Sequence, residues 1–154
     1  MVRHGRASPP VAVLERASVA AAAVKCYLDQ AVPLVQAYAR AMAWFAAQVR
    51  AAASEPAVCH TAAWKGPTSA ALRQLRDAAN QLHRLQPVPT ILPEMGMWED
   101  LAEETAALAG DVARWIDDDW TAYRTVLRRL NCLHELQRTA TSAWARVLAA
   151  EQRA

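Results

Sequence analysis

The sequence predicts an all-α protein, a bundle of four to five helices. Hydrophobic residues make up 54% of its 154 residues, and alanine accounts for much of that share, which favours closely packed helices. The chain has one phenylalanine, three tyrosines and few β-branched residues, so it has little material for strands. Apolar residues also recur at intervals of three and four over long segments, as on one face of a helix. The length suits one domain.

The first predicted helix runs from about Pro10 to Ala53, after a flexible basic tail at residues 1–9. Residues 10–154 are predicted to form a single helical domain. Proline suits the first position of a helix, and polar residues occupy only a narrow stripe of this one. We therefore expect it to pack against several neighbours or another subunit. Pro33 lacks a backbone donor and is expected to kink or split the helix near Asp29.

A second helix is predicted between two connectors, near residues 54–67 and 86–97. The sequence Gly66-Pro67-Thr68-Ser69 is typical of a helix start, and apolar residues then repeat at spacings of three and four up to Leu82. Three prolines between Gln86 and Pro93 indicate an extended connector, because the residue before a proline disfavours the helical conformation.

The third helix is expected to begin near Met97 and to reach about Ile116, where two alternatives remain open. The three aspartates that follow could cap a separate last helix that runs to about Ala150. If no break occurs there, the two segments form one long helix. Gly110 marks a second place where the third helix could be interrupted.

Charge is sorted into blocks along the chain. Residues 1–93 contain ten lysines and arginines against four acids, and residues 94–119 contain nine acids and one arginine. Residues 120–154 are basic again, with six arginines and two acids. Segregated charge of this kind indicates how a chain meets its partners and does not determine its fold.

The basic residues are predicted to form ridges on the second and the last helix. Arginines at helical spacing on a solvent face can contact the phosphate backbone of RNA or single-stranded DNA. An ordinary solvent-exposed face has the same appearance. The nucleic-acid contacts predicted from these ridges are Arg73, Arg76, Arg84, Arg124, Arg128 and Arg138.

The acidic block is predicted to face a partner subunit or solvent. Tryptophans at the ends of elements can anchor interfaces, whereas Trp44 and Trp144 lie on apolar faces and are expected in the core. Opposed charged faces on one chain favour head-to-tail association of its copies, which can build open, filament-like stacks. The predicted interface residues are Trp98, Glu103, Glu104, Asp111, Asp117 and Asp118.

The sequence contains no catalytic or metal-binding signature, so we expect no enzyme, cofactor or metal. Cys59-His60 and the Cys132/His134 pair have suitable ligand types, but two residues two positions apart on a helix point in different directions. The three cysteines are widely spaced, which predicts reduced thiols and a cytoplasmic location. The most apolar stretch carries too many charges to span a membrane.

In size, helical build, basic faces and lack of catalytic motifs, residues 11–150 resemble the small helical subunit of CRISPR effector complexes. The resemblance implies a non-catalytic subunit of a ribonucleoprotein, several copies of which line a backbone of guide-binding subunits. It also implies contacts of the basic residues with a nucleic-acid strand or with neighbouring subunits. One alternative is a protein–protein adaptor or homo-oligomeric bundle without nucleic acid. Another is a small helical enzyme with a pocket lined by Arg16, Arg40 or Arg124.

Overall fold

The protein is an all-α helical bundle, as predicted. The structure, a computed structural model, describes residues 10–117 and 122–153. No strand occurs in these two ranges, and short 3₁₀ helices at Pro56–His60 and Pro89–Ile91 precede the second and third long helices. The four long helices are α1 at Val11–Ser54, α2 at Ala62–His83, α3 at Leu92–Ile116 and α4 at Ala122–Arg153.

Successive helices run antiparallel, since Trp64 at the start of α2 contacts Gln48 near the end of α1 and Trp115 near the end of α3. Each helix packs most extensively against its neighbours in the chain. α1 and α4 close the ring with a much smaller contact. α2 and α4 are therefore diagonal to each other, and their outer faces point away from one another. This arrangement decides which charged residues can share one surface.

Each helix contributes fully buried side chains to one core. Phe45 of α1, Leu75 of α2, Leu108 of α3 and Val126 of α4 are all 0% exposed. Since such side chains each contribute about 1.5 to 3 kcal/mol on burial, this shared apolar core is the main source of stability. The helices thus depend on one another for their burial.

α1 and α3, which are diagonal, are joined by buried hydrogen bonds. The Tyr38 hydroxyl lies 3.0 Å from Oγ1 of Thr105, and both residues are at least 98% buried. The Thr105 hydroxyl donates to the carbonyl oxygen of Leu101 at 2.5 Å, so it accepts from Tyr38. Burial raises the pKa of Tyr38 to about 12, although the hydrogen bond with Thr105 acts in the opposite direction. The polar groups of both side chains are therefore satisfied inside the core.

Two helices begin earlier than the sequence suggested. α2 starts at Ala62 and not at Gly66, because the Thr61 hydroxyl caps it by accepting from the Trp64 backbone amide at 3.3 Å. α3 starts at Leu92, which places Pro93 in its first turn, where proline is tolerated. The proline-rich connector is correspondingly shorter than predicted.

Two of the expected interruptions are absent from the described helices. α1 continues through Pro33, so the predicted split is wrong; buried residues on both sides, among them Ala31 and Tyr38, hold the helix in place. α3 likewise continues through Gly110. It ends at Ile116, so α3 and α4 are separate helices, and Asp117 forms the C-terminal cap of α3.

The basic tail at residues 1–9 and the last two of the three consecutive aspartates lie outside the described residues. Within the described ranges, none of the helices combines the length and the apolar character needed to cross a lipid bilayer.

Candidate nucleic-acid interface

Five arginines follow the outer face of α4 from one end of the helix to the other. All five are exposed. They are separated by four, ten, eight and seven positions, which keeps them on one side of a helix with 3.6 residues per turn. The row extends over about 43 Å at 1.5 Å per residue. We call it the α4 stripe; its members are Arg124, Arg128, Arg138, Arg146 and Arg153.

Most of the positive charge on the α4 stripe is not neutralised by other residues that the structure describes. Arg138 pairs with Glu135 at 3.2 Å, but both side chains are about 70% exposed (72% and 67%), so the pair is weak. None of the other four arginines forms an ion pair with a described residue. The α4 stripe therefore presents positive charge to solvent.

α2 carries a second, shorter basic ridge. Arg73, Arg76 and Arg84 are exposed on its outer side, as predicted. Arg73 and Arg76 also line a cleft of about 430 Å³ between α2 and α3. Asp117 lines the same cleft, and its negative charge reduces the attraction for a phosphate there.

The two basic ridges belong to different surfaces of the molecule. α2 and α4 are diagonal in the bundle, so a strand that follows the α4 stripe does not reach the outer face of α2 without passing around the bundle. Arg124, Arg128 and Arg138 of the predicted set therefore share one surface, whereas the three α2 arginines lie on another.

Asp111 was expected at a subunit interface, and that expectation is wrong. It is 1% exposed and lies between α3 and α4, where Arg114 and Arg129 donate hydrogen bonds to its two carboxylate oxygens. A buried carboxylate requires such partners, since an isolated charge in the interior is strongly unfavourable. Asp111 therefore joins two helices inside the molecule.

Arg129 is a structural residue that the sequence analysis missed. Besides Asp111, it contacts Glu104 at 3.3 Å. The hydrogen bond to Asp111, with the attraction of both carboxylates, raises the pKa of Arg129 against the opposing effect of partial burial. The adjacent Arg128 points outward. The sequence did carry a signal for the inward position of Arg129. Arg128 and Arg129 are consecutive, and consecutive residues of a helix point about 100° apart, so the two cannot lie on the same face.

The other predicted acidic residues fall into three groups. Glu103 and Asp117 are exposed and remain accessible to a partner. Glu104 is 36% exposed and engaged by Arg129, so its charge is partly neutralised within the bundle. Asp118 lies outside the described residues.

Trp98, also predicted as an interface residue, is 3% exposed and belongs to the core. Its indole Nε1 donates to the Tyr27 hydroxyl at 2.7 Å. The rings of Trp98 and Tyr27 each stack on Trp144, with ring centroids 5.3 Å apart in both cases. This aromatic cluster packs between α1 and α4, whose direct contact is otherwise small. Trp44, which was expected in the core, is 55% exposed.

No described residues form a group of three or more metal-ligating side chains. Cys132 is exposed, whereas Cys59 is buried and its thiol donates to the Pro56 carbonyl at 3.0 Å. The arginines suggested for an enzyme pocket do not converge either: Arg16 and Arg40 line different clefts, and Arg124 lies on the outer face of α4.

No protein-family model, curated protein or solved structure matches the chain.

Proposed function

We propose that the protein is a non-catalytic helical subunit of a ribonucleoprotein, and that its α4 stripe contacts the nucleic-acid backbone. The single observation that carries the proposal is the row of five exposed arginines along about 43 Å of one helix. Guanidinium groups form paired hydrogen bonds with phosphate oxygens and stay charged at all physiological pH values. The resemblance of the sequence to the small subunits of CRISPR effector complexes agrees with this role, and it stays a prediction.

The distribution of acids supports the choice of the α4 stripe over the α2 ridge. Glu135 is the only acid on the outer side of the described part of α4, and it is engaged by Arg138. On the α2 ridge, by contrast, Arg73 and Arg76 share their cleft with Asp117 at the end of α3, which is exposed. A polyanion on the α2 ridge would approach this carboxylate, and its repulsion would oppose binding.

The experiment measures the binding of labelled single-stranded RNA and DNA by fluorescence anisotropy at increasing salt. For the wild-type chain we expect the logarithm of the association constant to fall linearly with the logarithm of the salt concentration. The variant R124A/R128A/R146A should bind at least about tenfold more weakly, with a slope reduced by about 2, since each backbone contact of a single strand contributes about 0.7.

Two control variants make the test specific to the α4 stripe. R73A/R76A/R84A removes the same charge from the opposite side of the bundle and should weaken binding less. R40A/R50A removes two exposed charges from α1 and should leave the salt slope nearly unchanged. Losses proportional to the number of arginines removed in all three variants would mean that binding depends only on net charge, and would contradict the proposal. Unchanged affinity in R124A/R128A/R146A would also contradict it.

The second candidate function is a protein–protein adaptor or homo-oligomeric bundle. It is favoured by the large apolar side chains exposed in the first turns of α1, where Val11 and Val19 are both 70% exposed. If the wild-type chain forms defined oligomers and binds no nucleic acid even at low salt, this candidate replaces the first.

A further inference from the structure

The first three to four turns of α1 extend past the end of α2 and contain no buried residue. α1 has 44 residues, whereas its antiparallel neighbour α2 has 22, so about half of α1 extends past the end of α2. None of residues 11–23 is buried, and the first buried residue of the helix is Val24. We call residues 11–23 the α1 arm.

The α1 arm is apolar on most of its circumference. Of the seven large apolar side chains that are exposed in the described residues, four lie on it, namely Val11, Val13, Leu14 and Val19. Its polar residues are only Glu15, Arg16 and Ser18. A helix with this composition is normally buried on several sides, and a concentrated apolar surface of this kind marks an interaction site.

A long cleft of about 610 Å³ follows one flank of the arm. Ala12, Val19 and Ala23 lie on its helical wall, and Val88 and Pro89 of the connector before α3 form the opposite wall. The small alanine side chains permit the backbone of another helix to approach closely. Leu92, the first residue of α3 after this connector, is also an exposed apolar side chain, at 51%.

We propose that the arm of a second copy of this chain occupies the cleft, antiparallel to the first, and forms a twofold-symmetric dimer. The argument is self-complementarity. Glu15 and Arg16 are adjacent, opposite in charge and both line the cleft. When two arms pack antiparallel with the symmetry axis between positions 15 and 16, each Glu15 faces the partner's Arg16.

The same symmetry axis also matches the apolar side chains by size. It places Ala12 of one copy opposite the partner's Val19, so a small residue faces a larger one on both sides of the axis. Ala12, Glu15, Arg16 and Val19 all line the cleft, as their spacing on one helical stripe requires. The same surface of each copy therefore forms the interface, as in any twofold-symmetric contact.

This interface is distinct from the α4 stripe, so the dimer does not depend on nucleic-acid binding. The arm contains no residue of the stripe, and its polar groups carry no net charge. The surface also differs from the acidic interface expected from the sequence, which involved α3.

Sedimentation velocity of the full chain, from low to high micromolar concentration, tests the proposal. The wild-type chain should form dimers. E15R and R16E each place like charges opposite one another at two symmetric positions, so each should weaken dimerisation at least about tenfold. The double variant E15R/R16E restores opposite charges across the axis and should recover dimerisation. V19D, which places a charge in the apolar part, should give monomers.

Circular dichroism establishes that each variant keeps its helical content. W44D, a charge introduced at an exposed aromatic residue elsewhere on α1, is the matched control and should leave the dimer intact. A monomeric wild-type chain at high micromolar concentration would refute the proposal, as would E15R/R16E remaining monomeric. If the wild type is monomeric but a chain starting at residue 10 dimerises, the first nine residues cover the arm, and the proposal fails for the intact protein.

Discussion

Arg129 of α4 donates a hydrogen bond to the carboxylate of Asp111 of α3, which is 1% exposed. Both carboxylate oxygens of Asp111 have a hydrogen-bond donor only when α3 and α4 are packed together. The other donor, Arg114, belongs to α3 itself and reaches only one of the two oxygens. The pair therefore links the stability of α4 to that of α3. It also defines the side of α4 that faces inward, opposite the α4 stripe.

Replacing Arg129 by leucine should lower the free energy of unfolding by about 2 to 3 kcal/mol, since it leaves a buried carboxylate with one partner fewer. The remaining bond from Arg114 keeps the loss below that of a fully isolated charge. Urea unfolding measures the change, and Arg128→Leu, an exposed neighbour, should alter stability by less than about 0.5 kcal/mol. Equal effects of the two substitutions would contradict the structural role of Arg129.

The helical fold could be predicted from the sequence because composition and apolar spacing are local properties. The same reasoning located the end of α3 at Ile116. It missed the start of α2, where Thr61 caps the helix and outweighs the signal from Gly66 and Pro67. Of the kink or split predicted at Pro33, the split is wrong, because tertiary packing on both sides of the proline is not visible in a local pattern.

The site residues were harder to predict, because charge alone does not distinguish a surface acid from a buried one. Asp111 and Glu103 belong to the same acidic block, yet Asp111 is 1% exposed and Glu103 is accessible. Asp111 lies on the side of α3 that packs against α4, where Arg129, 18 residues away in sequence, donates a hydrogen bond to it. The diagonal placement of α2 and α4 likewise depends on the packing order of the whole bundle.

Pro33 should reduce stability in its present position. It lies inside α1, is exposed, and cannot donate the backbone hydrogen bond that the fourth residue before it, Asp29, would accept. Pro33→Ala should therefore raise the free energy of unfolding by about 2 kcal/mol, which urea unfolding will measure. If the variant is instead less stable, a bend at Pro33 is needed for α1 to pack against α4.

Trp98 and Trp44 should respond very differently to the same substitution. Trp98→Phe removes the hydrogen bond to Tyr27 and leaves a small cavity in the aromatic cluster, which should cost about 2 kcal/mol. Trp44→Phe changes an exposed side chain and should cost less than about 0.5 kcal/mol. Urea unfolding compares the two, and near-ultraviolet circular dichroism should change mainly for Trp98→Phe. A larger loss for Trp44→Phe would contradict the assignment of the cluster to the core.

Tyr38 should make the protein sensitive to alkaline pH. Burial raises its pKa to about 12, above the value of about 10 for an unfolded chain, so the folded state holds the proton more tightly. The resulting stability is fully present below about pH 10 and is lost as the pH rises towards about 12, by about 1.4 kcal/mol per pH unit. Burial also raises the pKa of Tyr27 to about 12, against the hydrogen bond from Trp98, so its ionisation acts in the same direction.

Tyr38→Phe isolates the contribution of Tyr38. Below about pH 10 the variant should be about 1 kcal/mol less stable than the wild type, because its hydrogen bond with Thr105 is lost. That difference should shrink and then reverse as the pH rises, since phenylalanine does not ionise. Thr105→Val is the matched control: it breaks the same hydrogen bond but keeps Tyr38, so it should retain the full alkaline loss. Urea unfolding across this pH range measures all three proteins, and parallel curves for the wild type and Tyr38→Phe would show that Tyr38 does not cause the alkaline loss.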